Sequence, residues 1–401
     1  MGALTYILVI QLINYAFGKQ CAINNIPDYI KNEKQLLDDL QCGYDSHHQP
    51  SDNTTIRLIF FMKYFTFDSE EEVFTVQNWI HLDWQDDRLK WDPAKYNGLV
   101  ETDVTYHDIW LPSIELSNKE DFLNLEIYGF YRCLLKNSGA VLCKHWIVHE
   151  AWCSVKLTDW PYDVQECSLD FEGISPHTEN FTMFLDDSKS QDFTDMATKS
   201  AGWYVHDFKQ VVNNTGGSKI RLIYVLVREA AGLSAIVISP AFVLTVLTIL
   251  SLFLDVREKI RLAILSFSTV GHYYFLTELT ANLPKECHYP PTLLYYYRGS
   301  LVISMFIVVL TVFLEKMCKF NSPQVYIKVV NDYVYEYRFN KYIVFPQWDI
   351  DNSTVDNKKS NEDWVKFSNF VNSVFIYVIV IAYLGLYSAT VPKGPNLYNL
   401  N

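Results

Sequence analysis

No charged residue interrupts residues 230–254, AAGLSAIVISPAFVLTVLTILSLFL, and a run of that length matches the roughly 20 helical residues that cross a hydrocarbon core of about 30 Å. Two further uncharged runs follow at 299–314, extending back toward Leu293, and at 367–391. Backbone polar groups have no water to bind inside a bilayer, so such runs predict helices. Pro240 interrupts the hydrogen-bond ladder of the first run and predicts a kink there.

Residues 262–277, LAILSFSTVGHYYFLT, are also uncharged but carry Ser266, Ser268, Thr269, His272 and Thr277. That polarity does not suit a helix bathed in lipid on every side. Steps of three or four residues place Arg261, Leu265, Ser268, His272 and Phe275 on one stripe. The expectation is that this stripe faces an aqueous path.

Arg257, Lys259 and Arg261 follow the first run, and Lys316, Lys319 and Lys328 follow the third. Positive-inside counting puts those two links in the cytosol. Residues 3–17 form a short apolar run ending at Gly18, the pattern of a secretory signal over 1–18. The division expected is therefore an exported domain over 19–228, three membrane helices over 229–314, a cytoplasmic loop over 315–366, a fourth helix over 367–391 and an outer tail over 392–401. Sequons at Asn53, Asn180 and Asn213 lie in the exported part, as glycosylation requires, and the one at Asn352 falls inside. A formal net charge of −13 argues against nucleic acid as a partner.

Before Arg228 the residues alternate apolar and polar, and FFMKYF, EEVFTVQNWIHLDW and KIRLIYVLV are rich in aromatic and β-branched residues, as strands are. The fold class expected is α+β, an N-terminal extracellular β-sandwich followed by a four-helix transmembrane bundle. His145 and His149 look like a zinc pair, but on a strand they stand about 13 Å apart, too far to share one ion. No nucleophilic triad, phosphate loop or metal-ligand cluster stands out. The sequence offers no catalytic residue, no metal site and no cofactor, and predicts a protein that is not an enzyme.

Six cysteines fall in the exported part, where an oxidising compartment permits disulfides. Cys153 and Cys167 enclose thirteen residues around Trp160-Pro161-Tyr162-Asp163. Closing a loop of that size stabilises by about 3 kcal/mol. Two cysteines so spaced around an aromatic-Pro-aromatic-Asp turn resemble the signature loop of the Cys-loop receptors, the pentameric ligand-gated ion channels. The likeness extends to Trp79, Trp84 and Trp91, to DIWLPSIEL at 108–116, to Arg228, to Glu258-Lys259 and to the order of three helices, a loop and one helix. Within that fold, the turn Asn137-Ser138-Gly139 can set Cys133 opposite Cys143 across a hairpin for a second bridge. Cys21 and Cys42 form a third bridge or stay free.

The resemblance implies a nicotinic-type subunit that passes ions across a plasma membrane, at a neuronal or postsynaptic surface, on binding a small extracellular ligand. Its partners are then membrane lipid and homologous subunits in a mixed pentamer. In such receptors an agonist amine rests in an aromatic box, each good contact contributing about 2 kcal/mol. Here Ser117 stands where the resemblance expects tyrosine, Ile174 where it expects tryptophan, and the capping segment 211–219 has neither adjacent cysteines nor aromatic residues. Trp79 matches the aromatic that a neighbouring subunit contributes, so a complementary ligand face is implied. Coupling to the membrane is implied for Arg228, for Asp68 or Glu70 and for the loop around Pro161. Glu258 resembles a cation-favouring ring, whereas Arg261 opposes it. Counting from Lys259 puts Ser268 at the central gate and counting back from Glu278 puts Phe267 there; the stripe through Leu265, Ser268 and His272 is the expectation taken forward. The alternative function is a non-conducting or modulatory subunit of the same fold.

Overall fold

The computed structural model describes residues 28–120, 132–173, 181–186, 199–200, 202–213, 218–281, 283, 289–320, 325–336, 344–345 and 362–394. Residues 1–18, Cys21, Ile174, Asn180, Cys287 and Asn352 lie outside the described residues.

A helix α1 (Asp28–Gln41) precedes eleven strands: β1 (Thr55–Asp68), β2 (Val73–Gln85), β3 (Glu101–Thr105), β4 (Ile114–Leu116), β5 (Arg132–Lys136), β6 (Ala140–Trp152), β7 (Val164–Gly173), β8 (Thr182–Leu185), β9 (Lys199–Ser200), β10 (Trp203–Asn213) and β11 (Lys219–Arg228). They form two sheets, in the orders β3-β5-β6-β2-β1-β8 and β4-β7-β11-β10-β9. Alternate residues of β2 and β6 are buried, because successive side chains on a strand point to opposite faces. The inward rows meet as a sandwich core in which Phe60 lies 4.9 Å from Phe171 and Phe74 lies 5.4 Å from Tyr224, ring centre to ring centre.

Both expected bridges are present. Cys153 joins Cys167 with Cα atoms 5.2 Å apart, and Cys133 joins Cys143 at 4.1 Å across the β5–β6 ladder. Cys42 is free and exposed.

Among the described residues there follow the helices α2 (Ala231–Ser251), α3 (Lys259–Ala281), α4 (Thr292–Cys318), α5 (Val325–Glu336) and α6 (Glu362–Thr390). Among the described residues α2, α4 and α6 are long and apolar enough to cross a membrane. The sandwich meets the helices at the disulfide loop, where Thr292, the first residue of α4, donates its N–H and its hydroxyl to Thr158 O, both at 3.0 Å.

Candidate functional site

Three regions gather the residues singled out above. The first is the outward face of the six-stranded sheet. Strand alternation turns Trp79 outward on β2, where it is 37 % exposed, and register sets it opposite Trp146 of β6. The two rings meet edge to face at 5.3 Å. Trp146, Val148, Trp152 and Tyr64 are exposed as well. Trp146 was not singled out from sequence, although the period of two in HWIVHE, with His145 and His149 inward, carries that signal. On the second sheet Ser117 is exposed and its hydroxyl donates to Asp170 O at 3.1 Å.

The second region is the base of the sandwich. Asp68, Ser69, Glu70 and Arg228 line one groove of about 650 Å³, together with Glu71, Glu120, Glu150 and Trp203. The ion-pair partner of Arg228, which the sequence left open, is neither Asp68 nor Glu70 but Asp163. The arginine's Nε donates to Asp163 Oδ1 at 2.7 Å and its Nη2 to Asp163 Oδ2 at 3.1 Å and to Ser69 Oγ at 3.3 Å. The guanidinium also lies 4.1 Å over the Trp203 ring. Asp68 is occupied within its own turn, where Oδ1 accepts from the N–H of Glu70 and of Glu71. Glu72 knits that turn to the disulfide loop, since its carbonyl accepts from Cys153 N–H at 2.8 Å and its carboxylate from Val155 N–H at 3.2 Å. Pro161 follows a cis peptide in the same loop. The bridged loop thus touches Arg228, the acidic turn and the start of α4 at once.

The third region is α3, and here the sequence expectation is overturned. Arg261, Leu265, Ser268 and His272 are each 0 % exposed and face the other helices of their own chain. Ser268 pairs with Thr248 Oγ1 at 2.7 Å, and its hydroxyl lies 3.1 Å from Leu244 O. His272 sits between Ser268 O at 2.8 Å and Ser300 Oγ at 2.7 Å. Arg261 donates to Leu254 O, Thr311 Oγ1 and Asn372 Oδ1, and Asn372 in turn donates to Leu252 O. Glu258 is buried too, and Phe275 is half-buried against Tyr297. In an apolar surrounding these polar groups find partners in the bundle, because an unpaired one is costly. The outward face of α3 instead carries Ile260, Phe267 and Tyr274, at 43, 67 and 57 % exposure, with Glu278 beyond them.

Asn53 and Asn213 are exposed, as an acceptor of sugar must be.

A two-sheet sandwich with a disulfide loop at its base, followed by long apolar helices, is the architecture that the resemblance to the Cys-loop class implies. The family model "Neurotransmitter-gated ion-channel ligand binding domain" matches residues 33–225. The chain is 26 % identical over 303 residues to the acetylcholine receptor subunit gamma of Bos taurus, covering 69 % of this chain and 57 % of that one. It is 24 % identical over 304 residues to the Rattus norvegicus subunit beta, covering 70 % and 60 %. It is 24 % identical over 303 residues to the Caenorhabditis elegans "Acetylcholine receptor subunit beta-type lev-1", covering 73 % and 58 %. Residues 33–225 thus match the ligand-binding domain of that family, the relatives quoted are acetylcholine receptor subunits, and the chain spans a little over half the length of the curated relatives it matches.

Proposed function

We propose that the chain is one subunit of a pentameric ligand-gated ion channel in a surface membrane, with α3 lining the ion path. The observation that carries this is the outward stripe of α3. Ile260, Phe267 and Tyr274 recur every seven residues, which is about two helical turns, so they share one face that the described residues leave exposed. Five copies around an axis would place a ring of Phe267 at mid-height, an apolar constriction that gates by dewetting. Counting back from Glu278 gives the same register. Ser268, His272 and Leu265 then hold the helix in its bundle.

Cations are the ions we infer. The Arg261 guanidinium is drawn inside by Leu254 O, Thr311 and Asn372, so it does not line the path, while Glu278 is exposed at the outer end. Like charges at a pore mouth raise the local concentration of counter-ions.

The ligand face we assign is a complementary one built on Trp79 and Trp146. Ser117 leaves no ring on the opposite face at its position, so a homologous partner must supply the aromatic box. The relatives' names, subunit gamma and subunit beta, are names of one chain among several, which favours a mixed assembly.

A non-conducting, modulatory subunit is the second reading, favoured by the same Ser117. Recording under voltage clamp separates the two, with the chain expressed alone and with homologous subunits, against a panel of small neurotransmitters. Current that reverses at a cation potential and is blocked by a thiol reagent only in Phe267→Cys supports the first reading. Partner currents that are unchanged by Phe267→Cys with reagent, yet altered in size by the chain, support the second. Tight binding of acetylcholine by homopentamers overturns the assignment of a complementary face.

A further inference from the structure

Two imidazoles lie inside the sandwich, where β6 alternates His145, Ile147 and His149 toward the opposite sheet. Each histidine is 3 % exposed. Leu58, Phe60, Ile80, Leu82, Phe171, Pro112 and the half-buried Ile114 line a cavity of about 60 Å³ with them. The His149 ring stands nearly perpendicular to Phe171, 5.0 Å from it. Among the described residues neither ring nitrogen of His149 has a hydrogen-bond partner. The same holds for both amide atoms of Asn78, the next inward residue of β2 beyond Ile80.

Buried polar groups in folded proteins nearly always have partners, and those that lack one in the chain find it in bound water or a ligand. We propose that this cavity is a binding site for a hydroxyl group, either ordered water or the OH of a short alcohol, held by His149.

Three observations select that chemistry. A neutral imidazole has one N–H and one lone pair on different sides of the ring, and a hydroxyl, which both accepts and donates, can serve whichever nitrogen faces the cavity. The cavity walls are otherwise aliphatic or aromatic and bring no charge, which disfavours an ion. Two histidines on one strand are too widely spaced to ligate a common metal, and no carboxylate or thiolate lines the space to complete a shell. Size sets the limit. A cavity of about 150 Å³ takes benzene, so about 60 Å³ takes two or three heavy atoms, which is a pair of waters or ethanol.

Radiolytic hydroxyl footprinting of the full-length protein in detergent tests the site, because water activated beside a buried ring labels it where bulk solvent cannot reach. His149 and Phe171 are expected to be oxidised several-fold faster than Phe74, which is equally buried but lies away from the cavity. Rates no higher than that of Phe74 would overturn the proposal. A crystal or electron map collected with and without ethanol separates the two sources. Density within hydrogen-bond reach of His149 in both maps, lengthened to three bonded atoms only after soaking, assigns the alcohol as well as water. Density unchanged by soaking assigns water alone. A cavity empty in both maps overturns the site, and so does a His149 ring rotated onto a protein acceptor. His149→Phe, close in shape, keeps the fold and abolishes both the density and the excess labelling of Phe171.

Discussion

Arg228 and Asp163 meet in a two-point ion pair across 65 residues of sequence, with Nε–Oδ1 at 2.7 Å and Nη2–Oδ2 at 3.1 Å. The side chains are 11 % and 1 % exposed, so the pair is held out of water at the base of the sandwich. Breaking a buried pair by removing one partner leaves the other charge uncompensated, at a cost of roughly 3–5 kcal/mol. Asp163→Asn is therefore expected to lower the unfolding midpoint of the purified receptor strongly. Arg228→Lys is expected to lower it nearly as much, because an ammonium matches neither the fork geometry nor the stacking over Trp203. The double variant Arg228→Leu with Asp163→Leu should cost less than the sum of the single leucine variants. A double-mutant cycle that came out additive would show that the two charges do not act as a pair.

The face that α3 turns outward can be read chemically. Phe267 is 67 % exposed and Ser268 is 0 % exposed. A cysteine at 267 is expected to react with a water-soluble thiol reagent at least tenfold faster than one at 268. The reverse order would return the water-facing stripe to Leu265, Ser268 and His272.

Why the sequence pointed the wrong way along α3 is a matter of solvent. In water, polar residues on one side of a helix mark the wet side. In a membrane they also collect where helices touch, and the pattern Ser268–His272 is the same in both cases. What decides is the partner, and Thr248 and Ser300 lie 20 and 28 residues away in sequence. Arg261 misled for the same reason, since its acceptors come from Leu254, Thr311 and Asn372. The sandwich was more legible because its signals are local: a period of two in β2 and β6, and a turn at Asn137-Ser138-Gly139 that aligns Cys133 with Cys143. Asp163 was visible within its turn, but its pairing to a strand end 65 residues on was not.

Acid should weaken the ectodomain through its core. Burial pulls His145 down to about 4 and His149 down to about 3, from an unfolded value near 6.5. Among the described residues, the titratable groups that line this cavity are His145 and His149. The unfolded chain binds more protons than the native one below about pH 6.5, so the stability supplied by the neutral rings is complete above that pH. It is lost progressively as pH falls toward 4 and then 3, where the native rings charge. Unfolding midpoints measured from pH 7.5 to 4.5 are expected to fall, and to fall less in His149→Phe. Identical slopes in the two proteins would remove His149 as the cause.

Among the described glycines, Gly139 has a would-be Cβ closest to backbone, where a short turn closes the β5–β6 hairpin. Gly139 has a φ of +80°, its N–H donates to Lys136 O at 2.7 Å, and its carbonyl accepts from Asp86 N–H at 2.8 Å. A Cβ at this position would lie 2.4 Å from Asp86 O and 2.9 Å from Gln85 Nε2. Gln85 can swing aside, but Asp86 O belongs to the backbone that the turn is bonded to. Gly139→Ala thus combines a left-handed conformation, at about 1–2 kcal/mol, with a clash that only separating the turn from Asp86 can relieve. Gly98 supplies the control, because it has a φ of +82° and nothing within 4 Å of its would-be Cβ. Gly98→Ala is expected to cost the conformational penalty alone, and Gly139→Ala clearly more. Thiol alkylation and mass spectrometry should also find free Cys133 and Cys143 in a larger share of Gly139→Ala molecules, since the turn sets the register in which those two residues face each other. Equal losses in the two variants would mean that the contact with Asp86 yields at no cost, and that the hairpin is held by its ladder and its bridge alone.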